Sequence, residues 1–458
     1  MSRGIPGLNT PKRAINAVKS AIIVGAGVGG LCTAALLVRS GVNVTVMEKH
    51  NRVGGRTASE TYRNHTLDNG FHIMPFYKKS ALYGVLRALG VVRRANLAAV
   101  TDIAFHSNGR FHRYPAGIAG ILGLTLVPFG SRLKLLRLLL PMAFASMGGA
   151  ERLDNRPLAD VTGRLDSRTR AFFDAVCMLA FADVPGRVSL GEFIRTIIRA
   201  NPFRGGTSRF AYPAGGGYDS ICRILAEYVR DRGGEVRLSS PVRRVEVLGG
   251  RTRGVVDDKG EFAGADCVVI SAPAYQAAKL VGREELGERT ISEMDRLNQA
   301  TSVVEVHFAL DRRLDRRHII FPVGDGAAKG IFLTSNICPA LCPSGEHQMI
   351  AGAPVGAGTA GNGGAVREMA DKMRRDIEGV YPGFSDHIIW ERPRVWQFVE
   401  ATAKRPGLVW RSKMPHTLPH IGGLFFVGDS TISYGIGTDS AAHSALLCHP
   451  RILEWLVP

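Results

Sequence analysis

Apolar positions near the start of the chain fall in short runs. Ala21-Ile22-Ile23-Val24 is unbroken, and Val44 to Met47 is apolar except at Thr45. Between them lie a glycine loop, Gly25 to Gly30, and apolar residues at helical spacing up to about Arg39. The pattern predicts a β-α-β unit ending at Glu48, with strands buried on both faces. The far end of the sequence repeats the arrangement. Phe425 to Val427 stops at Gly428-Asp429, a glycine-rich loop follows, and a helix of small residues is predicted from about Thr438.

The middle reads differently. Phe76 to Arg204 is leucine-rich and predicted to be mostly helical. Tyr212 to Pro273 reads as loop, helix, strand, strand, hairpin and strand, with turns at Gly233-Gly234, Gly249-Gly250 and Lys259-Gly260. Helices alternate with strands from about Ala274 to Val395. A chain of 458 residues is too long for one simple core and predicts two or three domains. The fold class is α/β: a three-layer Rossmann-like domain built from discontinuous segments, with an inserted α+β domain.

Gly25-x-Gly27-x-x-Gly30 is placed where a dinucleotide loop belongs. Gly25 permits the tight turn, Gly27 lets backbone approach a pyrophosphate, and Gly30 lets helix and strand pack closely. Glu48, at the end of the second strand, is positioned for a ribose hydroxyl and disfavours a 2′-phosphate. Gly356, Gly358 and Gly361 match the same spacing, but no strand ending in an acid follows at the right distance. That stretch, Val355 to Ala365, is expected to be a surface loop.

Charge narrows the partners. The net charge of +18 favours an anionic partner. No Asp or Glu occurs from Ile103 to Ala150, while Arg110, Arg113, Arg132, Lys134 and Arg137 do. Cations among apolar residues without anions suit peripheral contact of 103–150 with a membrane surface, or else a buried helix with a solvated edge. No nucleic-acid module is visible. Prolines and glycines interrupt the longest uncharged run, which argues against a spanning helix. The basic N-terminus lacks a long apolar segment, and seven dispersed cysteines suit a reducing compartment. The expected location is therefore cytoplasmic, peripheral on the membrane. Cys338, Cys342 and His347 lack a second ligand pair, so no metal site is expected.

Gly25 to Glu48, followed by Gly54-Gly55-Arg56, resembles the FAD-binding opening of the flavin amine oxidase and phytoene desaturase superfamily. Gly428-Asp429 with the helix start at Thr438 resembles its closing motif, and Tyr212 to Val247 its middle segment. The resemblance implies FAD, with Gly25, Gly27, Val28, Gly29 and Gly30 at the pyrophosphate and Glu48 and Lys49 at the adenosine. It implies that Gly55 and Arg56 meet phosphate and that Val242 contacts adenine through its backbone. It puts Gly428 and Asp429 at the ribityl–phosphate region. Gly437 and Thr438 would face the flavin ring, where a positive helix end favours negative charge. Gly70, Phe71 and His72 would lie beside the ring.

These assignments imply an FAD-binding domain from 1–75, 205–275 and 396–458, and a substrate domain from 76–204 and 276–395. Leu67 to Val91 is similar to the isoprenoid-acting branch, the phytoene desaturases and hydroxysqualene dehydroxylases. That implies hydride exchange with a long apolar isoprenoid or carotenoid-type substrate. His72 and Tyr434 are the candidates for moving a proton. Amine oxidation is the alternative, with Tyr434 as a cage aromatic and Lys329 as a candidate lysine. Rab GDP-dissociation inhibitors share the expected fold, so a non-catalytic prenyl-binding protein is a third reading. Oligomeric state is not legible.

Overall fold

The computed structural model describes residues 19–76, 79–200, 203 and 210–457. The first residues of the chain and the boundary placed at 205 lie outside them. Strand β1 (Ser20–Val24) leads into helix α1 (Val28–Arg39) and strand β2 (Asn43–Met47). Helix α2 (Phe129–Phe144) belongs to the first insertion. Strands β3 (Glu235–Arg237) and β4 (Cys267–Ile270) come from the middle of the chain. Strand β5 (Ser302–Leu310) lies in the second insertion, and strand β6 (Ile421–Phe426) precedes helix α3 (Gly437–Leu456).

Strands β3, β2, β1, β4 and β6 lie side by side in that order, and each neighbouring pair is parallel. The hairpin of Val242–Leu248 and Arg251–Asp257 extends the sheet beyond β6. Ala21 and Ile23 share a core with Leu31 and Leu36 of α1 and Ala442 and Ala445 of α3. Ile22 and Val24 belong to a second core with Val255, Ala274 and Ala277. Both faces of β1 are thus covered, which is why the strand reads as an unbroken apolar run. Three segments far apart in sequence build one α/β sheet.

A second sheet of seven strands takes Ile388–Trp396, β5, His347–Val355, Gly330–Phe332, Ile319–Pro322, Ile103–Ser107 and Arg110–Arg113, in that order. Two local expectations need correction here. The stretch from Phe76 is not helical throughout: after the helix Ala81–Ala88, Leu97–Val100, Ile103–Ser107 and Arg110–Arg113 are strands. Ile103–Ser107 pairs with Ile319–Pro322, and a partner that distant leaves no local signal. The second glycine match is not a loop throughout. It forms a helical turn, Ala357–Ala360, and the start of the helix Gly363–Val380. Asn362 Oδ1 accepts from the N–H groups of Gly364 and Ala365, so that helix end is already capped.

Candidate functional site

The three glycines of the first loop have separate physical reasons. Gly25 has φ +103°, and a Cβ there would sit 2.6 Å from the carbonyl oxygen of Ser271. A Cβ on Gly30 would lie 2.1 Å from the carbonyl oxygen of Gly25, so helix and strand pack too closely for any side chain. A Cβ on Gly27 would meet nothing within 4 Å. The glycine a ligand would approach therefore faces open space, while its two partners are demanded by packing. Helix α1 has no side-chain cap and no acid in its first turn, so its N–H groups and dipole are left for an anion.

Glu48 is buried beside this loop. One carboxylate oxygen accepts from the Ala26 N–H at 2.8 Å and the other from the His50 N–H at 3.0 Å. The Ser240 N–H donates to the Glu48 carbonyl, which brings Val242, two residues on, to the same end of the sheet. Lys49 is exposed next to it.

The C-terminal unit closes on the other side of the loop. A Cβ on Gly29 would touch the Gly428 backbone at 3.3 Å, so the two glycine turns abut. Gly54 bridges to Gly27, with Gly55 and Arg56 following. Arg56 points to Asp429 and donates two hydrogen bonds to its carboxylate, at 2.6 and 2.9 Å. The expected phosphate ligand and the expected ribityl ligand are thus ion-paired with each other. Asp429 also accepts from the Ala401 N–H at 2.8 Å. Burial alone would raise its pKa, but the Arg56 guanidinium holds it far below the ordinary carboxylate value.

Thr438 lies in the first turn of α3, whose first N–H, at Gly437, donates to the Glu400 carboxylate. Its hydroxyl is 2.9 Å from the phenol oxygen of buried Tyr218. The Tyr218 ring lies 5.1 Å from the His72 ring, so Gly70 to His72 and the start of α3 share one neighbourhood. His72 Nε2 is 2.9 Å from the Asn69 carbonyl. A carbonyl can only accept, so that nitrogen carries a proton. Phe71 stacks on Phe332 of the second sheet with centroids 3.8 Å apart. The Gly70 N–H donates to Glu305 of β5 at 3.2 Å.

Tyr434 is held by different partners. Its ring packs on His443 at 3.9 Å and on Trp410 at 4.9 Å, with the Arg199 guanidinium 4.9 Å from its centroid. Burial raises the phenol's pKa, keeping it protonated at neutral pH. Lys329 donates to the Gly324 carbonyl at 3.0 Å, just before the strand Gly330–Phe332 of the second sheet.

Buried charges that sequence reasoning missed hold the glycine-rich loop. Lys413 donates to the Asp429 carbonyl and the Ser433 hydroxyl, both at 2.9 Å, and to Ser440 at 3.3 Å. Glu400 accepts from the Gly437 N–H at 2.7 Å, and Lys404 pairs with it at 3.0 Å. Glu192 accepts from the Gly435 N–H at 2.8 Å. The only hint in the sequence is Glu192 and Arg195 placed one turn apart on an otherwise buried helix face.

A family model described as flavin containing amine oxidoreductase matches residues 28–449. The chain belongs to that family. It is 25% identical over 319 residues to 15-cis-phytoene desaturase, chloroplastic/chromoplastic, of Solanum lycopersicum, covering 66% of this chain and 54% of that protein. It is 27% identical over 327 residues to the zeta-carotene-forming phytoene desaturase of Myxococcus xanthus, covering 64% and 60%. The chain thus spans little more than half the length of these curated relatives. Among solved structures, an oxidoreductase from Methanosarcina mazei superposes with a TM-score of 0.76 at 19% identity, covering 93% of this chain and 99% of that one. At that identity the likeness shows the fold alone. Family membership implies a flavin. The open face of Gly27 and the uncapped start of α1 fit such a group.

Proposed function

We propose that this protein is an FAD-dependent oxidoreductase acting on a long apolar isoprenoid or carotenoid-type substrate. The observation that carries the cofactor reading is the abutment of Gly29 against Gly428, which sets the uncapped start of α1 beside the glycine loop that leads into α3. Gly25 to Gly30 would hold the pyrophosphate and Glu48 the adenosine ribose. Lys49, Gly55 and Val242 border the same region. FAD, when bound, supplies the hydride chemistry. The chain supplies position and electrostatics. The start of α3 at Gly437 and Thr438 would face developing negative charge. His72 and Tyr434 would donate or accept a proton, or shape the substrate path.

The relatives named phytoene desaturases support the isoprenoid substrate. So does the apolar pair Phe71 and Phe332 beside His72. Amine oxidation is the second reading, favoured by the aromatic group Trp410, Tyr434 and His443. Its weakness is that Arg199 and His443 already lie against the Tyr434 ring, where a substrate ammonium would need access.

The test is a spectrum of protein purified with bound lipid, followed by solvent extraction and mass spectrometry. A flavin spectrum with a copurified isoprenoid that bleaches it without oxygen is the expected result. Peroxide release with amines and no response to isoprenoids would transfer the assignment to the amine reading. No flavin after reconstitution with FAD would leave a binding protein instead.

A further inference from the structure

Helix α2 is apolar on two sides. Leu135, Leu139, Met142 and Ala143 face the core. Phe129, Leu133, Leu140 and Phe144 are exposed, the two phenylalanines at 65% and 68%. Their spacing, i, i+4, i+11 and i+15, at 3.6 residues per turn gathers them into a stripe about 60° wide. Ile118, in the neighbouring short helix Gly117–Leu122, is exposed as well. A large exposed apolar patch on a folded chain marks an interaction surface.

The charge beside the stripe says which kind. Lys134 and Arg137 are exposed along its flank. No acid occurs anywhere from Ile103 to Ala150, and among the described residues no carboxylate pairs with either cation. Arg132 is used internally, donating to the carbonyls of Val127 and Leu122 at 2.8 and 2.7 Å. Elsewhere in the acid-free window Ile103, Ala104 and Phe105 are buried in the second sheet, which leaves α2 as its longest exposed apolar element. No helix among the described residues is long and apolar enough to cross a membrane.

We propose that α2 is an interfacial helix that docks the protein on an anionic phospholipid surface. Phe129, Leu133, Leu140 and Phe144 enter the acyl boundary, and Lys134 and Arg137 meet headgroup phosphates. A helix of 16 residues lying in the plane presents a face of about 24 Å. An apolar stripe bordered by unpaired cations is the arrangement that an anionic bilayer complements. A second copy of the chain would bring the same cations against themselves.

The experiment is flotation of the full chain with vesicles of phosphatidylcholine alone and of phosphatidylcholine with phosphatidylglycerol. The expected result is flotation with the anionic vesicles, weakened on going from about 0.1 M to about 1 M salt. Phe129→Ser/Phe144→Ser should reduce binding about tenfold, and Lys134→Glu/Arg137→Glu should abolish the preference for anionic lipid. Both pairs are on the surface, so unchanged thermal unfolding confirms that each variant folds. No flotation with anionic vesicles, or equal flotation of the variants, overturns the proposal. So does light scattering that finds a dimer split by Phe129→Ser/Phe144→Ser. The readout is vesicle binding and not turnover, so this proposal and the substrate assignment can fail separately.

Discussion

Arg56 and Asp429 stand 373 residues apart in sequence and face each other through two hydrogen bonds of 2.6 and 2.9 Å. The pair ties the glycine turn after β2 to the end of β6. One ion pair thus ties the two glycine turns together, with the Ala401 N–H supplying a third donor to the same carboxylate.

Asp429→Asn removes the charge that Arg56 answers. Arg56 is 39% exposed and can turn to water, so the stability cost is about 1–2 kcal/mol. The larger expected effect is on flavin content, read as the ratio of visible to ultraviolet absorbance. Because the folded pKa is depressed, the pair's contribution is complete above the ordinary Asp value of about 3.9. It is lost as pH falls through the lower folded value. Wild type and variant should converge in strong acid; parallel acid-unfolding curves would contradict the pairing.

Gly27 and Gly30 should separate ligand binding from folding. Gly30→Ala places a carbon 2.1 Å from the Gly25 carbonyl and should cost about 1–3 kcal/mol or more, seen in the melting temperature of the flavin-free protein. Gly27→Ala meets no neighbour and has φ −76°, so the same melting temperature should hold. FAD affinity should fall about tenfold or more, because the methyl fills the approach to the backbone. Equal losses of stability in both variants would remove the distinction.

Lys413 predicts a pH dependence. Burial, aided by Lys404, pushes its pKa from 10.5 down to about 7. Between those values the unfolded chain binds the proton and the folded chain does not, so stability rises with pH across that window. Below about pH 7 both states are protonated and the slope ends. Urea midpoints should climb from pH 7 toward 10.5 in the wild type and stay flatter in Lys413→Met. Identical slopes would mean that Lys413 is charged in the fold throughout.

Glu305 should anchor the loop beside His72. It accepts from the Gly70 N–H at 3.2 Å, from His307 Nε2 at 3.0 Å and from the Trp396 indole. Glu305→Leu leaves those buried donors unmatched and should cost about 3 kcal/mol in urea unfolding. Glu305→Gln keeps an acceptor and should lie between that variant and the wild type. A Glu305→Leu protein as stable as the wild type would show that the donors find other partners.

The sequence by itself determined the elements with local causes. The apolar runs at Ala21 to Val24 and, Thr45 apart, Val44 to Met47, the glycines between them and the acid at Glu48 marked a β-α-β unit, because a parallel strand covered on both faces is mostly apolar. The second strand–loop–helix unit at Gly428 was legible for the same reason. Those motifs and their resemblance led to the family and to the α/β class.

Only the tertiary structure decided what depends on distance. Nothing near Ile103 predicts a strand, because its partner Ile319 lies across the chain. Arg56 and Asp429 were each assigned to a ligand, and the fold pairs them. The groups holding the loop between Gly428 and Ser440 come from Glu192, Glu400 and Lys413, in separate segments. A buried charge is tolerated where a counter-charge or a set of dipoles meets it, and that meeting is a property of the packed chain. The stripe on α2 shows the same limit from the other side. Its leucines and phenylalanines look alike in sequence, and packing alone chose which of them face the core and which face out.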